Sequence, residues 1–483
     1  MVRDSDEETL GPGSSNGSQY ARPDGGETGE KKRHEPQDNR PVGFWDGELK
    51  ATRHVVFKKW IITTSILCIF VLAVLSLYWG ILFRVQQNMS ALVVYVVDFD
   101  GQVAPYTDVT PLVGPEIVKA AEMSLKPTGE LGWGSLPASD FDFDPMRVRE
   151  AVYDEKAWAA IIINPNATAL LRAAVQNGNT SYDPNGAMQV VYVQARHETT
   201  HSNYVIPALD KFQTMVKTTF GKTWTAQVLE QASRNSTFLS NIQAAPQALS
   251  PGIGFSTYNL RPFFPAVATP AVSVGLIYLI IISYFSFSFY LPIHMRFIEP
   301  DGHRPMKFFE LIIWRWCATV MSYFFLSFCF SVISLAYQIP FSTGSRPHTV
   351  VANPATAYGK GTFPVYWMLN WVGMLALGLA CENMSMVLGQ PWMVFWLIFW
   401  VISNVSTAFY AITLAPGFYR WGLAWPLHNI VLATRTLLFD IHSQVGLNFG
   451  ILFAWVAIHT VLFPVCCWIM RWKSMREKRN KQS

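Results

Sequence analysis

The stretch WIITTSILCIFVLAVLSLYWGILF, residues 60–83, decides the fold class. It carries no charge, and about 20 apolar residues are enough to take a helix through the hydrocarbon of a bilayer. Lys58 and Lys59 stand before it and Arg84 after it. Five further apolar runs come late in the chain, at about 266–291, 311–337, 365–388, 392–414 and 447–470. Only Gly389–Pro391 separates the fourth run of the six from the fifth, so a tight hairpin is required there. The 483 residues are 51% hydrophobic and only 14% charged, well below the roughly 25% charged of an ordinary soluble domain. The expected fold class is therefore a polytopic α-helical membrane protein of six transmembrane helices, with an α+β extracellular domain inserted between spans one and two.

The rest of the chain divides around these runs. Residues 1–55 are rich in Gly, Ser and charged side chains and read as a disordered cytoplasmic tail without signal-peptide order. Span one (60–83) is followed by the extracellular domain (85–265), a five-helix membrane domain (266–470) and a basic cytoplasmic tail (471–483). Lys and Arg gather on one side, at Lys50, Arg53, Lys58 and Lys59, at Arg296, Arg304 and Lys307, and in RWKSMREKRNKQS at the end. The positive-inside rule places both termini in the cytoplasm and residues 85–265 outside or in a lumen. The basic tail suits anionic inner-leaflet lipids, although fixing topology alone explains it. The net charge of +4 gives no reason to expect nucleic acid. All six cysteines fall in the apolar runs, so the outer domain must hold together without disulfides.

Sequons at Asn88, Asn166, Asn179 and Asn235 all fall in the outer region and are candidate glycosylation sites. ALVVYVVDFDG (91–101) reads as a buried strand closing in a turn, and Pro115 marks a helix start. DPMRVREAVYDEK is a second helix. A strand through Ile163, a turn at Asn164-Pro165 and a helix ended by Gly178 follow. GAMQVVYVQA is another strand, and about 202–244 is mostly helical.

Two places carry candidate chemistry. His197, Glu198 and His201 form H-E-x-x-H, which on a helix holds zinc with the glutamate as general base. The context argues against it. The motif follows a strand, Thr199 and Thr200 are weak helix formers, and Pro207 is expected to cut a helix short. No third histidine stands where the extended motif needs one. A solvated turn or helix start is expected, with no catalytic residue, metal or cofactor assigned. Within the spans, Arg315, Glu382 and Asn383 are the candidate transport path. Arg315, with Glu310 in the first turns of span three, is expected to snorkel to the headgroups; the alternative is an internal charge pair. Glu382 needs a partner or water at its depth, and Asn370 and Asn404 are expected to bond between helices. YRWGLAWPLHNIVLATRTLLFD (419–440) reads as an amphipathic helix on the outer surface. No G-x-x-x-x-G-K-[ST] is present, since YGKGT at 358–362 lacks the first glycine.

VVDFDG, AWAAIIINPNATALL and AMQVVYVQARHETTHSNYVIPAL resemble the fungal nitrosoguanidine-resistance membrane protein family over roughly 55–470. One span, a large outer domain and five clustered spans is also similar in layout to bacterial phage-infection-protein-like and ABC-type exporter permeases. The resemblance implies a plasma-membrane protein, not an enzyme, for resistance to toxic amphiphiles or control of lipid distribution, without its own ATPase. It also implies a homodimer. Membrane lipids and a small amphiphilic substrate are the partners expected. A non-transporting scaffold or receptor that binds through a glycosylated outer domain is the second reading, and a zinc metallopeptidase is the third.

Overall fold

The computed structural model describes residues 41, 43–124, 129–298 and 304–482. The tail expected over 1–55 lies outside them for residues 1–40 and 42. Its last part is ordered, because helix α1 runs Lys50–Gly80 and starts well before Trp60. Within the unit that ends at Ser65, Arg53 donates to the carbonyl of Asp46 at 3.0 Å and lies 5.8 Å from the Trp45 ring.

The inserted domain follows in the second unit. Its order is β1 (Val93–Asp98), α2 (Val113–Ser124), β2 (Gly132–Leu136), α3 (Pro145–Tyr153), β3 (Ala159–Ile163), α4 (Ala167–Asn177) and β4 (Met188–Tyr192). A three-residue turn α5 (Glu198–Thr200) and a π-turn (His201–Val205) then feed α6 (Ile206–Ala232). After it come α7 (Ser236–Ala244), α8 (Pro246–Leu249) and β5 (Phe255–Asn259). The sheet order is β2-β1-β3-β4-β5, parallel at every step except β3 with β4. The α+β expectation becomes a mostly parallel, crossover-connected α/β sheet covered on both faces, which explains why β3, AAIII, is buried at every position. Val94, Val96, Ile161 and Val190 face α2, α4 and α6; Val97, Ile162 and Val191 face α3, in a core continuous with the membrane helices. Gly178 ends α4 at φ 64°, in the left-handed region that glycine adopts without strain.

β1 lies where the strand order reverses, a place where open α/β sheets commonly take ligands. Here Asp100 fills it. Its buried carboxylate accepts from the main-chain N–H of Thr168 at 2.9 Å and of Gly114 at 3.2 Å, tying α4 to α2. Burial pushes the neighbouring Asp98 up to about 6.

The membrane-embedded part comprises α9 (Ile277–Met295), α10 (Phe308–Ala336), α11 (Thr362–Leu388), α12 (Met393–Ala408), α13 (Pro426–Phe439) and α14 (Val445–Gln482). Among the described residues, five helices, α1, α9, α10, α11 and α14, are long and apolar enough to cross a membrane. The run expected to begin at 266 opens with tight 3₁₀ turns, where Pro265 and Pro270 withhold N–H groups, and becomes an α-helix only at Ile277. The run expected over 392–414 is corrected most. α12 has 16 residues, about 24 Å at 1.5 Å each, against a hydrocarbon core of about 30 Å. The chain then continues only in 3₁₀ turns, Ile412–Leu414 and Gly417–Ala424, until α13, whose Leu427 N–H donates to Asn404 Oδ1 at 3.1 Å. α13 is not a surface helix either: every residue but His428 and Leu432 is buried, and it packs on α11, α12 and α14. The segment expected as a basic tail continues α14 as helix through Gln482.

Candidate functional site

Arg315 does not snorkel. Its side chain is 2% exposed and its Nη2 lies 2.7 Å from Glu382 Oε1 on α11. The reason is positional. α10 starts at Phe308, so Arg315 stands two turns inside, facing the neighbouring helices rather than the headgroups. Thr319, one turn further along, donates to Glu382 Oε2 at 3.1 Å. The guanidinium's other partners among the described residues are soft: Met386 Sδ at 3.4 Å, Cys467 Sγ at 3.5 Å, and the rings of Phe463 and Phe287 at 5.4 and 5.9 Å. Its Nε, buried, meets no hydrogen-bond partner among the described residues. A narrow pocket with room for about one water molecule lies against the pair, lined also by Ser286, Tyr290, His294 and Tyr323.

The pair is one end of a longer feature. Arg315, Thr319, Tyr323, Ser327, Ser331 and Ser334 are all buried and recur at every fourth residue, then third, which puts them on one face of α10. From Arg315 to Ser334 this polar seam is about 28 Å long at 1.5 Å per residue. Tyr323 donates to the Ser283 carbonyl at 3.0 Å, Asn370 Nδ2 donates to Ser331 Oγ at 2.9 Å, and Ser334 meets Tyr366 at 3.1 Å. Gly378 lets α11 close on the seam, because a Cβ there would lie 2.5 Å from Tyr323 and 2.7 Å from Ser283. Reading Arg315 alone misses the seam; four-residue spacing of polar side chains in an apolar helix is the signal that finds it. Asn383 belongs elsewhere. It faces α14, where its Nδ2 donates to the His459 carbonyl at 2.9 Å, while Asn383 Oδ1 and His459 Nε2 have no partner among the described residues.

The H-E-x-x-H residues lie at a helix start, but a buried one. His197 Nδ1 accepts from the Thr200 N–H at 3.2 Å and so caps the helix. The two ring nitrogens of His201 lie against the carbonyls of His197 at 3.1 Å and Trp158 at 3.4 Å. Both imidazoles are thus turned to main-chain partners, leaving His197 Nε2 as the ring nitrogen of the pair without a partner among the described residues. Glu198 Oε2 pairs with Arg435 of α13 at 2.8 Å. Burial first, then the Arg435 charge, holds His197 well below the ordinary histidine range, and burial holds His201 down to about 4. Pro207 does not cut the helix. It sits in the first turn of α6, behind the π-turn, where its missing N–H costs no ladder bond.

This cluster is half of a junction between the α/β domain and the membrane helices. Arg435 Nη1 donates to the Arg196 carbonyl at 2.7 Å. The other half is Arg261, which follows β5, and Asp440, which ends α13 at φ 52°. Arg261 donates to Asp440 O and Oδ2 at 3.0 Å each, to Val350 O at 2.9 Å, and to Leu260 O and Arg346 O at 2.8 Å each. Ser345 and the Arg346 N–H also donate to the Asp440 carboxylate, at 2.8 and 3.0 Å.

The four sequons differ in access. Asn179 and Asn235 are exposed and use only Oδ1, as acceptor from Ser181 N and from Thr237 N. Asn88 donates its amide to Leu414 O at 3.0 Å, and the Thr168 of the Asn166 sequon is buried against Asp100.

A bundle of membrane-length helices with a buried ion pair at one end of a polar seam, and an α/β domain inserted after the first helix, defines a polytopic membrane protein. The chain belongs to the family described as "Protein of unknown function (DUF3533)", which matches residues 63–461. It is similar to an uncharacterized endoplasmic reticulum membrane protein of Saccharomyces cerevisiae, 26% identical over 435 residues that cover 87% of this chain and 82% of that one. No solved structure matches it.

Proposed function

We propose that the chain is a permease-like carrier that moves amphiphilic compounds or membrane lipids along the α10 seam, acts without an ATPase of its own, and is not an enzyme. The single observation that carries this reading is the seam itself. It is about as long as the hydrocarbon core is thick, and it begins at a charge pair whose desolvation only a functional need or a very good fit would sustain. Resistance to nitrosoguanidine-type toxicants, implied by the family resemblance, is one form this activity takes. The yeast relative is named as an endoplasmic reticulum protein, which supports an internal membrane over the plasma membrane; with both termini in the cytoplasm the α/β domain would then face the lumen. Two copies side by side would give the paired arrangement of exporter halves.

A scaffold or receptor is the second reading, supported by the buried junction that holds the α/β domain rigidly on the helices. Survival on a panel of cationic amphiphiles separates the two, in cells lacking the protein and given back wild type, Glu382→Gln or Glu310→Gln at matched levels. Glu310 is exposed at the start of α10 beside Lys307, so its variant is the control. The carrier reading requires loss of protection with Glu382→Gln alone; equal protection by all three supports the scaffold.

A further inference from the structure

We propose that Glu382 is a proton-binding site fed from the pocket beside it, and that the protonated acid releases Arg315 from α11. This rests on the carrier reading and supplies what that reading lacks, a source of drive. In the structure the ion pair is neutral as a unit and buried, with 2% and 5% of the two side chains exposed. Glu382 accepts one bond on each oxygen, from Arg315 and from Thr319. A metal cation would have to displace the guanidinium to reach the carboxylate; a proton needs no such space. Once a proton is on Oε1, that oxygen no longer carries the charge that holds Nη2. Arg315 keeps its own proton and becomes a lone buried cation, a state as unfavourable, if nothing moves, as a buried pair with one partner removed.

Arg315 has no other oxygen to keep it in place. Its remaining partners are two sulfurs and the rings of Phe463 and Phe287, at 5.4 and 5.9 Å, and its Nε has none among the described residues. The direction of least cost is toward the pocket, where water can take the free N–H groups. The pocket runs from Tyr323 and Ser286 past the pair to Tyr290, Leu291 and His294 near the end of α9. His294 stands at the far end of the pocket, and Trp314 fixes its ring by donating to Nδ1 at 3.1 Å. A water in the pocket can hand its extra proton to Oε1: one O–H bond breaks on the water as another forms on the carboxylate, and His294 is not charged in the step.

The other ionisable groups around Glu382 are accounted for. α10 presents Arg315 and Tyr323, α9 presents Tyr290 and His294, and α14 presents Cys467, with His459 turned to Asn383. Cys381 is its neighbour on α11. α12 has no ionisable side chain, and those of α13 are held elsewhere, His428 by Thr407 O and Arg435 by Glu198.

The test is an infrared pH titration of the full-length protein in lipid nanodiscs, reading the C=O stretch of a protonated carboxylic acid. Wild type should gain a band on acidification that Glu382→Gln lacks. Thr319→Val removes one bond to the ionised form and keeps the acid, so its band should appear at higher pH; this arm stands even if Glu382→Gln fails to fold. Wild type and Glu382→Gln titrating alike, or Thr319→Val matching wild type, would overturn the proposal. If the band titrates as expected but Glu382→Gln cells survive amphiphiles, the proton site stands and the carrier reading falls. If Glu382→Gln abolishes protection and no band titrates, the carrier stands and the proton site falls.

Discussion

Two buried arginines sit in this molecule under opposite conditions. Arg261, at the junction, has every N–H group directed at a carbonyl or at Asp440. Arg315, in the bundle, has one carboxylate, two sulfurs, two aromatic rings and an Nε without a partner among the described residues. Burying a cation is costly in both places. Where all donors are satisfied, the group behaves as a fixed joint, and any movement breaks several bonds at once. Where they are not, the cation is held by a single strong contact and a change at that contact sets it free. Saturation, more than burial, separates the structural arginine from the one placed to act.

The most direct way to break this contrast is to remove each cation. Arg261→Met should destabilise by about 3–5 kcal/mol, since it strands a buried carboxylate. Arg261→Lys should rescue little, because one ammonium cannot span carbonyls from Leu260, Arg346, Val350 and Asp440. Thermal unfolding of the detergent-solubilised protein measures both; a wild-type transition for Arg261→Met would remove the joint from the argument. Arg315→Met should cost less, about 1–3 kcal/mol, because Glu382 can take a proton and become neutral. Arg315→Met with Glu382→Gln should recover most of that loss. A double variant no more stable than the single one would mean that the bundle pair, too, is a joint.

The same contrast shows what a reader of the sequence can reach. β1, β3 and β4 were legible because central strands are apolar throughout. GWGSL at β2 and FSTYN at β5 were not, because an edge strand is paired on one side only and tolerates Gly and polar residues. That Arg315 and Glu382 matter was legible from charge in an apolar run. That they meet was not, since 67 residues separate them and only the packing of α10 on α11 closes the gap. Asn383, next to Glu382 in sequence, faces another helix, because adjacent residues on a helix point about 100° apart. The seam could have been read, by counting polar positions in steps of four. Span five could not be read from hydropathy, because α12 and α13 are apolar for the same reason as a span, burial, without either having the length of one.

The histidines sharpen the junction half of the comparison. His201 is held down to about 4, so the folded protein refuses a proton that the unfolded chain accepts below about 6.5. The unfolded state therefore binds more protons between those values, and stability falls as pH drops through that window, by about 2 kcal/mol from pH 7 to pH 5 for this residue. Asp98 works the other way. Its folded value of about 6 lies above the ordinary 3.8, so acidification stabilises through it and that gain is lost as pH rises past 6. His201→Gln should remove the first term and leave the second. His197, also held low by burial, still weakens the variant on acidification, so the variant's unfolding transition should fall less steeply than that of wild type; parallel profiles would show that His201 is not the sensitive group.

The smallest effect belongs to the sequons, where saturation again decides. Asn179 and Asn235 leave their amide N–H groups free at the surface, so Asn179→Gln and Asn235→Gln should each remove a glycan, seen as a step in gel mobility, while changing stability by about 0.5 kcal/mol or less. At Asn88 the amide nitrogen that would carry a sugar donates to Leu414 O. A glycan would substitute one of its hydrogens and push against the segment after α12, so Asn88→Gln should leave mobility unchanged. Asn166 tests timing rather than access. Its Thr168 hydroxyl accepts from the Leu112 and Val113 N–H groups in the folded domain, so a transferase can use that sequon only before α4 docks on α2. Partial occupancy at Asn166, rising when folding is slowed by Asp100→Asn, is the expected pattern. Full occupancy in wild type would mean that transfer outpaces the closing of the Asp100 clamp.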